Sequence, residues 1–505
     1  MYSDDFKLTS SAVILAAMLL AATDTKANTI SETPAFWLES GAEHLKAAEH
    51  LNRNQRYAKN VILFVGDGMG ISTITAARIL EGQTKPDNRG GEENSLSFEQ
   101  FPYLALSKTY SVNQQTPDSA PTMTAIISGV KTNDGELSVG KEVARQEKDA
   151  FVVNAHKVKT LLEQAEEKGL STGIVTTARI THATPAACYA HTSERDWESD
   201  ANLPTDATVH DIARQLLEFP YGNGLEVVMG GGRGMFLPNT TPDPEDAGKF
   251  GNRKDGLDLT RQWLGQSAKS AYVYDKNGFD AVDPKYTDHL LGLFERSHME
   301  YEYDRPGDSG GEPSLSEMTA KAIEILSKNR KGYVLMVEAG RIDHAHHAGN
   351  AFRALTETVE LSNAVRKAVE KTNSKDTLIV VTADHSHTFT IAGYPQRGNP
   401  ILGLVKHPGA TDYAEDSNGL PFTTLGYTNG PGYRGPNPRP DLTGIDTAHP
   451  DFLQEAAIPL HDETHAAEDV AIFAQGPKAH LFHGIQEQSY IYQVMAKALK
   501  FRPGQ

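Results

Sequence analysis

The sequence predicts an α/β fold with a doubly wound, mostly parallel central sheet that carries helices on both faces. Short apolar runs rich in β-branched residues, such as 61–66 and 377–382, are typical of strands buried on both faces of a parallel sheet. Helical stretches separate these runs, and such alternation indicates a doubly wound sheet. Two segments, 238–313 and 393–459, break the alternation and are predicted to be large insertions at the rim of the sheet.

The remaining elements follow in order along the chain. Residues 28–59 are predicted to form an N-terminal arm with an amphipathic helix. The α/β domain is expected to comprise residues 60–392 and 460–505. The predicted strands are 61–66, 172–176, 226–229, 333–337, 377–382 and 470–474. The predicted helices are 71–80, 158–168, 209–218, 315–328, 351–371 and 485–499.

Charge and cysteine content limit the function classes. The net charge of −18 would repel a nucleic-acid backbone, so no nucleic-acid-binding surface is expected. The acidity also requires any phosphate site to be locally positive. Cys188 is the only cysteine, and a core of this size does not need disulfide bonds.

The N-terminus is predicted to be a signal peptide over residues 1–27. Lys7 precedes the apolar stretch 12–22, which is too short for a membrane span. The alternative is an N-terminal extension that is retained. Export to the periplasm or the extracellular space is therefore expected. No apolar tail follows Phe482, so neither a glycolipid anchor nor another membrane anchor is predicted.

Acidic and histidine residues recur where the predicted strands end. Asp67 follows strand 61–66, Glu338 follows strand 333–337, and Asp384 and His385 follow strand 377–382. Ligands bind beyond the carboxyl ends of the strands in such sheets, so these side chains are expected to converge in one crevice. Carboxylates and imidazoles together are typical ligands of divalent metals.

The densest group of metal-binding side chains lies between residues 338 and 347. Asp343 and His347 are four residues apart, so on a helix they share a face and can bind one ion. A lone histidine is more often a surface or core residue, but a whole group after a buried strand is hard to explain as solvated charge. The evidence that His465 binds a metal is weak when this residue is considered alone. It becomes stronger because His465 precedes the predicted strand 470–474.

Ser119 lies where a helix is predicted to begin, with Pro121 in its first turn. The N-terminus of a helix provides positive potential and free N–H groups, which lower the free energy of an alkoxide or a bound anion. The simpler interpretation is that Ser119 only caps the helix, since serine is strongly preferred at that position. The serine alone does not decide between these interpretations.

The residues at these positions resemble a known family, the alkaline phosphatases. The sequence around Arg341 and His387 is similar to the animal-type and related bacterial branch. Ala120 and Pro121 depart from the family, in which smaller residues usually follow the serine. The matching segments keep the family's order and are Phe64–Gly70, Pro117–Ser119, Thr181–Pro185, Glu338–His347, Thr382–His387 and Glu463–Val470.

The resemblance implies hydrolysis of phosphate monoesters with two zinc ions and one magnesium ion. Ser119 would accept the phosphoryl group, and Arg195 would bind phosphate, including the inorganic phosphate product. His182 and His344 would lie near the site. The implied metal ligands are Asp343, His347 and His465 for the first zinc, Asp67, Asp384 and His385 for the second, and Asp67, Thr184 and Glu338 for magnesium.

The resemblance also implies a calcium site and a homodimer. The calcium ligands would be Glu245, the Phe294 carbonyl, Glu295 and Glu312, although an aspartate is expected where Glu312 stands. All-oxygen ligands from loops suit calcium. The Gly- and Pro-rich segment 393–459 would be a crown insertion at a two-fold contact. Tyr394 would reach from it toward the partner's active site.

Several alternatives remain at this point. Arg195 would be read as a surface partner of Asp196 or Glu198 if the resemblance did not exist. Sulfatases, phosphodiesterases and phosphomutases share the superfamily, and a non-catalytic metal-binding protein is a further class. Met123 stands where a sulfatase motif has arginine, and a histidine-rich ligand set suits zinc better than calcium.

Overall fold

The computed structural model of the chain describes residues 32–85, 90–435 and 439–502. The predicted signal peptide lies outside the described residues. The chain divides into two compact units, Met1–Leu51 and Asn52–Gln505. The described part of the first unit contains helix α1 (Pro34–Glu49), which lies within the predicted arm 28–59. The Thr33 side chain caps α1 by accepting a hydrogen bond from the Phe36 N–H at 3.2 Å.

The second unit is organised around a ten-stranded sheet. The strands of this unit, including those of two smaller sheets, are β1 (Asn60–Gly66), β2 (Tyr103–Lys108), β3 (Ser171–Arg179), β4 (Val227–Gly231), β5 (Ser270–Val273), β6 (His289–Leu293), β7 (Tyr333–Ala339), β8 (Thr377–Ala383), β9 (Ser386–His387), β10 (Phe389–Ile391), β11 (Leu425–Gly430), β12 (Ala456–Pro459), β13 (His465–Ala466), β14 (Val470–Gln475) and β15 (Ile485–Glu487). In the ten-stranded sheet they lie in the order β15-β2-β14-β8-β1-β7-β3-β4-β6-β5.

Helices cover both faces of this sheet. Val61 and Leu63 of β1 belong to one hydrophobic core, and Ile62 and Phe64 belong to the other. The doubly wound fold is therefore confirmed. None of the described helices has the length and apolar character needed to cross a membrane. The helices of this unit are α2 (Ile71–Thr84), α3 (Ser119–Ser128), α4 (Ala150–Ala155), α5 (Leu161–Glu167), α6 (Ala183–Ala186), α7 (Ile212–Leu217), α8 (Arg233–Phe236), α9 (Leu259–Gln266), α10 (Lys276–Ala281), α11 (Leu315–Leu326), α12 (Arg341–His347), α13 (Ala351–Lys371) and α14 (Tyr490–Ala498).

One strand runs against its neighbours, and this reversal shapes the crevice. The pairs that join β14 to β2 and to β8 are antiparallel, whereas the other pairs of the sheet are parallel. The residues that precede β14 therefore lie at the edge where β1, β7 and β8 end. His465 reaches this edge in the short strand β13, where it pairs with His387 of β9.

The segments predicted to be insertions differ from one another. The predicted insertion 238–313 supplies two strands to the main sheet, the edge strand β5 and its neighbour β6, neither of which was predicted. These strands are short and contain polar residues or glycine. They are buried because they pack against other parts of the protein, and not because their own sequences favour strands. The segment 393–459 supplies β11 and β12 to a separate three-stranded sheet with β10. The predicted helix 485–499 begins only at Tyr490, after β15.

A buried pair of carboxyl groups lies at the opposite edge of the sheet. Glu226 Oε2 accepts a hydrogen bond from the Thr172 N–H at 2.6 Å, and Glu166 Oε1 accepts one from the Thr172 hydroxyl at 2.7 Å. The other oxygen of Glu166 is buried without a hydrogen-bond partner among the described residues. Burial and the charge of Glu226 raise the pKa of Glu166 to about 9. Glu166 is therefore protonated in the folded protein at neutral pH.

We expect this pair to make the folded protein less stable at alkaline pH. The pKa of Glu166 is higher in the folded than in the unfolded state, so its stabilising contribution is lost as the pH rises toward about 9. In Glu166→Gln the amide can donate to Glu226 at every pH. Between pH 7 and 10 the melting temperature should fall further in the wild type than in Glu166→Gln. Glu167→Gln, at an exposed neighbour, should behave as the wild type does; parallel curves for all three proteins would contradict the assignment.

Candidate functional site

The candidate site lies at the carboxyl ends of the central strands β1, β7 and β8. Asp67 follows β1, Glu338 is the penultimate residue of β7, and Asp384 follows β8. The turn after β1 requires glycine, because Gly68 has a φ of +70° and a Cβ there would lie 2.4 Å from His387 Nε2. This tight turn lets Asp67 reach the crevice. A cavity of about 790 Å³ opens onto it and is lined by Asp118, His347 and His465 among others.

Ser119 is the first residue of α3, and it is not the residue that caps this helix. Asp118 is the cap, since its carboxylate accepts a hydrogen bond from the Ala120 N–H at 2.7 Å. The simpler interpretation of Ser119 is therefore wrong. The Ser119 Oγ lies 3.2 Å from His385 Nε2 and 3.4 Å from Asp67 Oδ1, and the residue is only 2% exposed. The hydroxyl thus faces the metal-binding side chains.

The first group of candidate metal ligands has three acceptor atoms that converge. His347 Nδ1 must donate to the Glu463 carbonyl at 2.6 Å, and His465 Nδ1 must donate to the Pro117 carbonyl at 2.8 Å. Each neutral ring therefore carries its lone pair on Nε2. These two Nε2 atoms are 3.0 Å apart, and each lies 3.3 Å from Asp343 Oδ1. A divalent cation fits this arrangement. The first group consists of Asp343, His347, His387 and His465.

Charge in the first group favours the ionised form of its carboxylate. Burial alone would raise the pKa of Asp343, but His347, His387 and His465 together hold it well below its usual range. His387 differs from the other histidines, because it lies between two carboxylates. The Asp343 and Glu463 carboxylates raise the pKa of His387 to about 9 although burial opposes this. His387 is therefore a cation that balances Asp343 rather than a ready metal ligand.

The second group consists of Asp67, Asp384 and His385. His385 Nε2 lies 3.2 Å from Asp384 Oδ2 and 3.4 Å from Asp67 Oδ1. The Oδ2 atoms of both aspartates are buried without a hydrogen-bond partner among the described residues. Burial and the neighbouring Asp384 raise the pKa of Asp67 well above its usual range. A bound cation would compensate these buried oxygens, whose desolvation is otherwise costly.

An oxygen-only group lies beside the second group and consists of Asp67, Thr184 and Glu338. Thr184 Oγ1 and Glu338 Oε1 are buried and have no hydrogen-bond partner in the described parts of the chain. The other oxygen of Glu338 accepts a hydrogen bond from the Thr176 hydroxyl. Burial raises the pKa of Glu338 to about 7. Hard oxygen ligands of this kind suit Mg²⁺.

Arg195 provides a guanidinium close to Ser119. It donates to Asp118 Oδ1 at 3.1 Å and to His182 Nε2 at 3.0 Å, and its side chain is 17% exposed. The surface pairs considered from the sequence are not seen. Glu198 instead pairs with Arg179 at 2.7 Å, through two hydrogen bonds. Arg195 is therefore held by the residue that caps the helix of Ser119.

The structure adds residues that the sequence did not single out. His298 joins His182 and His344, with one ring nitrogen from each within 4.8 Å of the others. Burial and Arg341 lower the pKa of His344 to about 3, and burial lowers the pKa of the other two rings. Arginine donors beside these neutral rings make them poorer cation ligands than the first group. His298 was missed because it lies in the predicted insertion 238–313, where no strand was predicted that would bring it to the site.

The predicted calcium ligands are brought together in part. Glu245 and Glu295 converge with Asp308, which the sequence did not single out. Glu312 lies outside this group, and its Oε1 accepts a hydrogen bond from the Glu300 N–H at 2.8 Å. Its Oε2 is buried without a hydrogen-bond partner among the described residues, and burial and the charge of Glu295 raise the pKa of Glu312 to about 9. Phe294 directly precedes Glu295 and follows β6. Separately, Tyr394 is 88% exposed, as a residue that reaches toward a partner must be.

Comparison with known proteins gives one consistent result. The family model described as alkaline phosphatase matches residues 58–501. The tissue-nonspecific alkaline phosphatase of Gallus gallus is 47% identical over 486 residues, which cover 93% of this chain and 90% of that protein. The corresponding Homo sapiens isozyme is 45% identical, and the match covers 92% of this chain and 88% of that protein. The alkaline phosphatase of Gadus morhua is 45% identical and covers 92% and 97%.

Solved structures agree at the level of the fold. The alkaline phosphatase of Thermus thermophilus has a TM-score of 0.62 at 24% identity and covers 90% of this chain and 94% of that one. The enzyme from the Antarctic bacterium TAB5 has a TM-score of 0.59 at 23% identity and covers 89% and 99%.

Proposed function

The chain belongs to the alkaline phosphatase family, and on that premise we propose that it hydrolyses phosphate monoesters through a covalent phosphoserine at Ser119. The observation that carries the proposal is the position of the Ser119 hydroxyl, 3.2 Å from His385 Nε2 and 3.4 Å from Asp67 Oδ1, beside two groups of candidate metal ligands. Asp343, His347 and His465 would hold one zinc ion, and Asp67, Asp384 and His385 would hold a second. Asp67, Thr184 and Glu338 would hold magnesium.

The protein's own groups account for binding and orientation of the substrate. Bound divalent ions would supply charge neutralisation and a lower pKa for hydroxyl groups. Arg195 would bind two phosphate oxygens by parallel N–H bonds, a geometry that lysine cannot provide. The contact between Arg195 and Asp118 keeps the guanidinium beside Ser119. The substrate's phosphorus is thereby presented to the Ser119 Oγ.

The reaction would proceed in two displacements at phosphorus. The Ser119 hydroxyl loses its proton to solvent, its Oγ attacks phosphorus, and the bond from phosphorus to the alcohol oxygen breaks. The alcohol oxygen takes up a proton and leaves, and the phosphoryl group remains on Ser119. Water then loses a proton as it attacks the phosphoserine, the bond to Oγ breaks, Oγ takes up a proton, and inorganic phosphate leaves. The N–H groups at the start of α3 favour negative charge on Oγ in both steps. Family membership and Arg195 favour monoesters over the sulfatase, phosphodiesterase and phosphomutase alternatives.

Three further features form part of the proposal. Calcium would bind at Glu245, the Phe294 carbonyl, Glu295 and Glu312, and Asp308 would be a further ligand. The protein would be exported, in keeping with the apolar stretch 12–22. It would act as a homodimer whose contact includes the segment 393–459 as a crown and the N-terminal arm. A two-fold contact of this kind uses the same patch on both subunits.

Ser119→Ala is expected to retain bound metal and to lose turnover by at least about a thousandfold, because it lacks the nucleophile. Two measurements test this. The protein is incubated with labelled phosphate and quenched with acid to trap the phosphoserine, and turnover of p-nitrophenyl phosphate is measured on a separate, unquenched sample. Ser128→Ala, at the other end of α3, should keep both label and turnover. Failure to trap labelled wild-type protein at low pH would exclude the covalent route.

Arg195→Lys is expected to raise KM and to weaken inhibition by inorganic phosphate more than it lowers kcat. Lysine keeps the charge but loses the two-point contact with phosphate. The matched control is Arg214→Lys, at a partly exposed arginine outside the site that pairs with Glu218. Unchanged phosphate inhibition in Arg195→Lys would show that Arg195 does not bind phosphate.

Calcium is expected to raise the melting temperature of the wild type, and the rise should be larger at pH 9 than at pH 7. Burial and Glu245 raise the pKa of Glu295 to about 8, so without calcium its contribution to stability is lost as the pH rises. Glu295→Gln should lose the calcium response, whereas Glu300→Gln, at an exposed neighbour, should keep it. Equal wild-type melting temperatures with and without calcium would remove the site.

Sedimentation at micromolar concentration is expected to show a dimer. If Tyr394 reaches the partner's active site, Tyr394→Gly should change KM without dissociating the dimer, and Tyr394→Phe should do so less. A fully active monomer would contradict the dimer. An active dimer that neither substitution affects would remove only the role of Tyr394.

A further inference from the structure

Glu463 is a buried carboxylate directly behind the first group. It is 1% exposed and lies two residues before His465, between β12 and β13. Its environment is tightly packed, since a Cβ added at Gly430 would lie 3.0 Å from the Glu463 Cβ. Glu463 is not a member of any group whose ligand atoms converge. Its contacts nevertheless reach two residues of the first group.

The main chain of Glu463 makes two hydrogen bonds with His347, one with its ring and one with its main-chain carbonyl. The Glu463 carbonyl accepts from His347 Nδ1 at 2.6 Å, and the Glu463 N–H donates to the His347 carbonyl at 2.9 Å. The first contact sets the tautomer of the ring, because a carbonyl can only accept. It therefore turns the Nε2 lone pair of His347 toward Asp343. Hydrogen bonds that orient a ligand in this way strengthen metal binding.

The side chain of Glu463 holds a second residue, His387. Its Oε2 accepts from His387 Nδ1 at 2.5 Å, and its Oε1 accepts from the N–H and the hydroxyl of Thr388 at 2.7 and 2.6 Å. The other nitrogen of His387 contacts Asp343 Oδ1 at 2.8 Å. Thr388 therefore holds the Glu463 carboxylate in place, and this carboxylate orients the His387 ring. The ring in turn orients the Asp343 carboxylate.

We propose that Glu463 is the positioning residue of the first zinc site, through its side chain for Asp343 and through its main chain for His347. The inference rests on the proposed function, because it concerns how that site is built. A residue that only supported the fold would stabilise the protein with and without metal to the same extent. A positioning residue changes the affinity for one metal ion.

Glu463→Gln separates these roles because the amide cannot satisfy both sets of donors. If its oxygen accepts from His387, its NH₂ faces the two donors of Thr388. If its oxygen accepts from Thr388, its NH₂ faces His387 Nδ1. Either arrangement disturbs the contact from His387 to Asp343. Glu468→Gln is the matched control, since it removes the same charge from an exposed residue of the same segment.

The experiment is a titration of the metal-free proteins with Zn²⁺ against a competing chelator, with the melting temperature of each metal-free protein measured in parallel. In Glu463→Gln one of the two zinc sites should weaken about 10- to 100-fold and the other should stay within about twofold of the wild type. Glu468→Gln should bind as the wild type does. The metal-free melting temperature of Glu463→Gln should change less than that of the zinc-loaded protein.

A second variant keeps the test decisive if Glu463→Gln does not fold. Glu463→Asp retains the charge and the main-chain contacts but is one methylene too short to hold both His387 and Thr388. It should weaken the same zinc site. Wild-type affinity at both sites in a folded Glu463 variant would overturn the inference. A wild-type protein that binds no zinc would instead overturn the proposed function.

Discussion

The site depends on the convergence of three side-chain atoms that can all bind one cation. The Nε2 atoms of His347 and His465 face each other at 3.0 Å, with Asp343 Oδ1 at 3.3 Å from each. Two backbone carbonyls occupy the Nδ1 positions, so neither ring can turn its proton inward. Such an arrangement is stable only when positive charge lies among the acceptors. The buried oxygens of Asp67 and Asp384 impose the same requirement a few ångströms away.

The topology of the sheet brings these groups together and links them to the nucleophile. Parallel strands place Asp67, Glu338 and Asp384 at one edge, and the reversed strand β14 adds His465 to the same edge. The carbonyl that orients His465 belongs to Pro117, two residues before Ser119. The position of a candidate metal ligand and the start of α3 are therefore coupled through one hydrogen bond. Asp118 completes the link by capping α3 and holding Arg195.

Much of this arrangement could be predicted from the sequence, because the signals are local. Buried parallel strands are recognisable as apolar runs, and the candidate ligands Asp67, Asp384 and His385 follow such runs directly. The strands β5 and β6 were missed because their burial depends on neighbours that are distant in sequence. His298, Asp308 and Glu463 were missed for the same reason, since a single acidic residue or histidine in a loop has no distinguishing pattern. His465 could be included because the resemblance to the alkaline phosphatases implied that it binds zinc, which its spacing in the sequence alone did not indicate.

Metal analysis of the purified protein, with turnover followed during chelation, tests the central claim most directly. The account predicts two zinc ions and one magnesium ion per chain, loss of p-nitrophenyl phosphate turnover as zinc is removed, and recovery when zinc returns. The same chelator preloaded with zinc should have no effect. Full turnover by protein that contains less than one zinc ion per chain would contradict the account.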